Sequence, residues 1–172
     1  MVRHLAWYLT HEATSRAAAG DTASLPRLAD SLEVLGRRSA YGRDRGLHHH
    51  VRGLLALARG RREEAAASFQ RAMYSPTFGY TRTNLELGRV LTTLGRPREA
   101  VAILAPALRG ELEASNLYVT HAELHEALAQ AYEAAAEPDS ARAHYAWVAK
   151  AWRAADPSFQ TRAARARAKS GS

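Results

Sequence analysis

The chain has 172 residues, enough for one domain or one short array, and 47% of them are apolar, enough to bury a continuous core. Lys and Arg number 24 against 17 Asp and Glu, and the resulting net charge of +7 favours acidic partners in general terms without bearing on fold. The absence of Cys excludes disulfides, thiolate metal ligands and a cysteine nucleophile. No run reaches the roughly 18 uncharged apolar residues that a membrane span needs, and Met1-Val2-Arg3-His4 opens no signal-peptide pattern, so the expected compartment is the cytoplasm with no membrane partner.

In chain order, His4 to Ala19, with Leu5, Trp7, Tyr8 and Leu9, reads as a helix stopped by Gly20-Asp21. A second helix follows from about Ser24 to Arg38, with Pro26 near its start and Leu25, Leu28, Ala29, Leu32 and Leu35 on one face. The next pair is predicted over Arg43–Arg59 and Glu63–Tyr74, closed by Ser75-Pro76. In the third pair Leu87, Leu91 and Leu94 share one helical face, and Ala100, Ile103, Leu104 and Ala107 share another. Gly95 supplies a left-handed stop between them, and Pro97 falls where a first-turn proline costs no backbone donor. A fourth pair is carried by Leu128, Ala129, Tyr132, Ala136, Ala141, Tyr145 and Val148, with Pro138 at its second helix. Asp156 is the expected N-cap of a closing helix to about Lys169, made basic by Arg162, Arg165, Arg167 and Lys169.

The pairs repeat one another. Gly53, Gly60, Ala65, Phe69 and Ala72 keep the offsets of Gly88, Gly95, Ala100, Leu104 and Ala107, at a distance of 35 residues. Ala129 and Ala136 take the places of Gly88 and Gly95 at a distance of 41 residues. The surplus falls in Arg109 to Val119, predicted as an extended loop or an overlong helix. Small residues at Gly88, Ala100 and Ala107 let paired helices approach closely.

This spacing resembles the tetratricopeptide repeat, whose small, aromatic and proline positions recur about every 34 residues. The resemblance implies an all-α, right-handed α-solenoid of about four antiparallel helix pairs (residues 4–38, 43–76, 80–109 and 117–155) plus a C-terminal capping helix over 157–169. In such arrays the first helices line a concave groove. By register, the implied partner-binding positions are His50 and Leu54, then Arg82, Glu86 and Arg89, then Glu126, Gln130 and Glu133, with Trp7, His11 and Thr14 from the first pair. Arg82, Glu86 and Arg89 also have the spacing of intrahelical ion pairs on a solvated face. Leu47–Arg59, Tyr80–Leu108 and Leu117–Pro157 are similar to the C-terminal repeat regions of bacterial serine/threonine protein kinases and transcriptional activators. The implied role is a non-catalytic protein-interaction scaffold for a partner peptide or helix, or alternatively the repeat module of a bacterial regulator.

Candidate chemistry is sparse. His48, His49 and His50 are consecutive, so on a helix they point about 100° apart and do not converge on one ion. His121 and His125 have metal-ligand spacing, but Glu123 stands one position too late for the zinc-protease motif. No phosphate loop or nucleophile elbow is present, so no catalytic residue, metal or cofactor is expected. Tyr74, Phe78 and Tyr80 offer either an exposed anchor for a partner or, as is commoner for large side chains at recurring offsets, a seal for the joint between pairs, and Trp147 and Trp152 are expected to meet the closing helix. That basic helix lacks interleaved aromatics, which leaves nucleic-acid binding through the basic surface as a minor third reading.

Overall fold

The computed structural model describes residues 1–78, 80–110 and 119–171, and all regular structure among them is helical. The helices are α1 (Val2–Ala18), α2 (Leu25–Arg38), α3 (Leu47–Ala58), α4 (Arg62–Ala72), α5 (Thr81–Thr93), α6 (Pro97–Ala107), α7 (His121–Ala134), α8 (Pro138–Ala151) and α9 (Gln160–Ser170). Among the described residues, two short 3-10 turns, Gly42–Gly46 and Pro157–Phe159, lead into α3 and α9. These turns correct two expectations. The stretch Arg43–Gly46 is not the first turn of an α-helix, and Asp156 does not cap α9, because a turn separates them and its side chain makes no cap bond. The loop or overlong helix expected between Arg109 and Val119 falls mostly on residues 111–118, outside the described residues.

Local chemistry explains the helix boundaries. Pro26, Pro97 and Pro138 each occupy a first turn, where the missing N–H has no intrahelical partner to lose. Thr120 and Glu123 form a reciprocal capping box at the start of α7, with Glu123 N–H donating to Thr120 Oγ1 at 3.2 Å and Thr120 N–H donating to Glu123 Oε2 at 3.0 Å. At the other ends, Gly20, Gly60, Gly95 and Ala136 adopt left-handed φ values of 80°, 73°, 73° and 59°. Each is followed by a residue whose N–H reaches back five positions: Asp21 to Arg16, Arg61 to Ala56, Arg96 to Leu91 and Glu137 to Tyr132, all at 2.9 Å. Four turns thus close with one hydrogen-bonded geometry, in which the left-handed residue lets the chain satisfy otherwise orphaned carbonyls.

Each helix packs on its neighbours along the chain. The principal contacts join consecutive helices, together with α1 to α3 and α5 to α7. Within pairs, approach is limited by backbone clearance. A methyl group at Gly53 would lie 2.6 Å from the Phe69 ring, and one at Gly88 would lie 2.5 Å from Leu104 Cγ. Phe69 and Leu104 are themselves completely enclosed. One core runs from Ala6 in α1 to Ala131 in α7, and a second joins Ala129, Tyr145, Val148 and Trp152 to Ala163 and Ala166 of α9. No helix among the described residues is long and apolar enough to cross a membrane.

Candidate functional site

The first helices of three pairs, α1, α3 and α5, border an open cleft of about 440 Å³. Its floor is apolar, made by Ala17 and Ala18 of α1 with Leu54, Leu57 and Ala58 of α3. Along one wall stand Arg82, Glu86 and Arg89 of α5, at the four- and three-residue steps that align side chains on one helical face. Arg89 bonds Glu86 at 3.2 Å, and Arg82 reaches across to Glu123 of α7 at 3.1 Å. Burial opposes charge on Glu123, but the Thr120 N–H and the Arg82 guanidinium outweigh it and lower its pKa below the ordinary carboxylate value. The wall is therefore a set of fixed charges beside an apolar floor, two guanidiniums paired with Glu86 on the wall itself and with Glu123 behind it.

Beneath the cleft, a polar network ties the same three helices together. Thr14 donates its hydroxyl proton to the Thr10 carbonyl at 2.8 Å, so its oxygen is left to accept from His50 Nε2 at 3.2 Å. His50 Nδ1 then accepts from the Thr83 hydroxyl at 3.0 Å. The Tyr80 hydroxyl sits 3.0 Å from His11 Nδ1 and 3.5 Å from Thr14 Oγ1. Burial first, with the positive field of Arg82 and of His11 behind it, pushes the His50 pKa down to about 3. A neutral imidazole is the form this network requires, because it needs one donor nitrogen and one acceptor nitrogen.

The sequence-derived groove residues separate into three groups. Leu54, Arg82, Glu86 and Arg89 line the cleft, joined by Thr14. His50 does not: it is 0% exposed, and the network beneath the cleft occupies both of its nitrogens. Trp7 and His11 are likewise turned to internal partners, Trp7 donating to Asp44 Oδ1 at 3.0 Å. Glu126 and Glu133, on α7, are engaged by the closing helix. Arg162 Nε approaches both Glu126 carboxylate oxygens at 3.1 Å, Lys169 bonds Glu133, and Tyr145 donates to Glu133 at 2.8 Å. Gln130, half-buried on the same helix, is not part of the cleft lining.

No family model, curated protein or solved structure matches the chain. The chemistry of the cleft is accordingly read from its own side chains. Its floor residues Ala17, Ala18, Leu57 and Ala58 lay outside the sequence-derived set, because the positions carried over by register end at Thr14 on α1 and at Leu54 on α3. Their signal was available: Ala17 and Ala18 stand one helical turn beyond Thr14 on α1, and Ala58 stands one turn beyond Leu54 on α3.

Aromatic and histidine positions also depart from expectation. Tyr80 seals the joint at 5% exposure, whereas Tyr74 and Phe78 are 58% and 40% exposed. Trp152 meets the closing helix, with the Arg162 guanidinium carbon 4.5 Å from its ring centre, but Trp147 instead stacks on His125, with rings 4.1 Å apart. His125 Nδ1 lies 2.7 Å from His144 Nδ1, a contact that requires one nitrogen to carry the proton and the other to accept it. Burial and the neighbouring His144 and His121 lower the His125 pKa to about 4. Among the described residues, no group of three or more His, Asp or Glu is placed to hold a metal ion.

Proposed function

We propose that the chain is a non-catalytic, tetratricopeptide-like solenoid that holds a partner peptide or helix in the cleft between α1, α3 and α5. The observation that carries this reading is the cleft itself, an apolar floor beside one charged helical wall. A preformed floor offers area for apolar side chains, and the fixed Arg82, Glu86 and Arg89 orient polar groups without first having to be ordered. The solenoid part is supported by packing that links helices close in sequence and by the recurrence of one turn geometry after α1, α3, α5 and α7. Further support comes from spacing: Thr14 meets His50, Glu126 meets Arg162 and Glu133 meets Lys169, each pair 36 residues apart. On that reading α9 takes the place of the next first helix and closes the array.

The test uses peptides selected from a displayed random library on the full chain. Ala58→Arg and Ala18→Arg put long charged side chains on the cleft floor at exposed positions, where they leave the core intact. Selected peptides are expected to bind each variant at least about tenfold more weakly, with unchanged helical melting. Peptides that bind both variants as well as the parent would place the binding surface elsewhere.

A further inference from the structure

A second recess, of about 270 Å³, lies where the turn before α3 meets the end of α4, apart from the cleft. Arg43 and Arg45 line it from the turn and Arg71 from α4, with His49 and Tyr74 beside them. Among the described residues no carboxylate lines it, and none of the three arginines is in an ion pair. By contrast, Arg16, Arg52, Arg82, Arg96 and Arg162 each hold a carboxylate. Arg43 is held by aromatic faces, its guanidinium carbon 4.8 Å from the Phe78 ring centre, 5.6 Å from Trp7 and 5.8 Å from Tyr41. Its Nε is enclosed with no hydrogen-bond partner among the described residues. Such stacking fixes a planar donor fork in advance, which is the arrangement that favours an oxyanion over a hydrated point charge.

Three arginines lining a recess with no acid among its described lining favour a multiply charged anion. Size and the neighbouring ring narrow the choice. The volume falls just below the roughly 300–1,000 Å³ of ordinary ligand pockets, so the occupant is small. Tyr74 lines the recess with its ring 58% exposed, and Phe78 stands 6.4 Å from it, which offers a face on which a flat heterocycle can stack. We propose that this recess binds a nucleoside monophosphate, its phosphate held by Arg43, Arg45 and Arg71 and its base stacked on Tyr74. Nothing in the proposal depends on the peptide cleft.

Calorimetric titration of the full chain at low salt with adenosine monophosphate, inorganic phosphate, adenosine and O-phosphotyrosine tests it. The monophosphate is expected to bind, inorganic phosphate more weakly, and adenosine not at all. Arg45→Gln with Arg71→Gln should weaken the monophosphate at least about tenfold, and Tyr74→Ala should narrow its advantage over inorganic phosphate. All three positions are exposed, and Arg45→Lys with Arg71→Lys supplies a second pair that keeps the charge but loses the fork. Ala58→Arg, in the other cleft, should change nothing. Absence of heat with adenosine monophosphate, or affinity indifferent to the paired arginine changes, would overturn the site. Tighter binding of O-phosphotyrosine than of the nucleotide would overturn the nucleotide assignment in favour of a phosphopeptide.

Discussion

Substitution of Gly88 by Ala measures how closely α5 and α6 are packed. In an open helix the change would stabilise, since Ala is favoured over Gly by about 1 kcal/mol at an interior position. Here the new methyl would fall 2.5, 2.6 and 2.7 Å from Cγ, Cδ1 and Cδ2 of Leu104, and Leu104 is fully enclosed, so it has no room to swing aside. Overpacking of this kind costs about 1–3 kcal/mol, and contact with three atoms of an immobile side chain puts this case in the upper part of that range. The net expectation for Gly88→Ala is destabilisation by about 1–2 kcal/mol, the packing cost exceeding the helical gain. Truncating the neighbour should reverse the sign: in a Leu104→Ala background the methyl enters vacated space and stabilises by about 1 kcal/mol. The implied coupling, about 2–3 kcal/mol, is well above that of independent sites. Urea unfolding of the four proteins of this cycle, followed by far-ultraviolet circular dichroism, supplies the numbers. Equal effects of Gly88→Ala in both backgrounds would refute the steric account, as would stabilisation in the parent.

Acid should destabilise the fold. His50 has its pKa lowered to about 3 in the folded chain against an ordinary value of 6.5, so below pH 6.5 the unfolded chain binds a proton that the folded chain refuses. Stability therefore falls as pH drops through 6.5 towards 3, by about 1.4 kcal/mol per unit once the unfolded imidazole is charged, or about 2 kcal/mol from His50 by pH 5. His49 and His125, both lowered to about 4, act in the same direction. Urea midpoints at pH 7 and pH 5 should differ accordingly, and His50→Gln should remove about 2 kcal/mol of that difference; a pH-independent midpoint would contradict the burial argument. Ala136 is exposed and holds a left-handed φ of 59°, the conformation that Gly60 and Gly95 hold at 73°. Ala136→Gly should raise stability by about 1 kcal/mol and Gly95→Ala lower it by a similar amount, as read from thermal midpoints; opposite signs would defeat the turn assignment.

Several features were legible in sequence because their causes are local. Leu87, Leu91 and Leu94 recur at steps that only a helix brings to one face, and all three pack on the core. Gly20, Gly60 and Gly95 stop helices through a backbone conformation open to a residue without Cβ, and Ala136 was placed by its repeat register alone. Close approach at Gly88 was likewise readable from the missing side chain. The Thr120–Glu123 capping box follows the same local logic, since both of its partners lie within four residues. Tertiary structure decided what these helices offer to a partner. Glu126 and Glu133 look like groove carboxylates along α7, yet their partners Arg162 and Lys169 arrive from α9, which no pattern within α7 encodes. His50 has the register of a groove residue, but Thr14 and Thr83, from helices on either side in sequence, enclose it. Tyr74 and Phe78 differ from Tyr80 in exposure though only a few residues separate them, because exposure depends on which neighbouring helix covers each ring. Periodicity determines the face a residue shares; the charges and rings brought from other helices determine whether that face is left open.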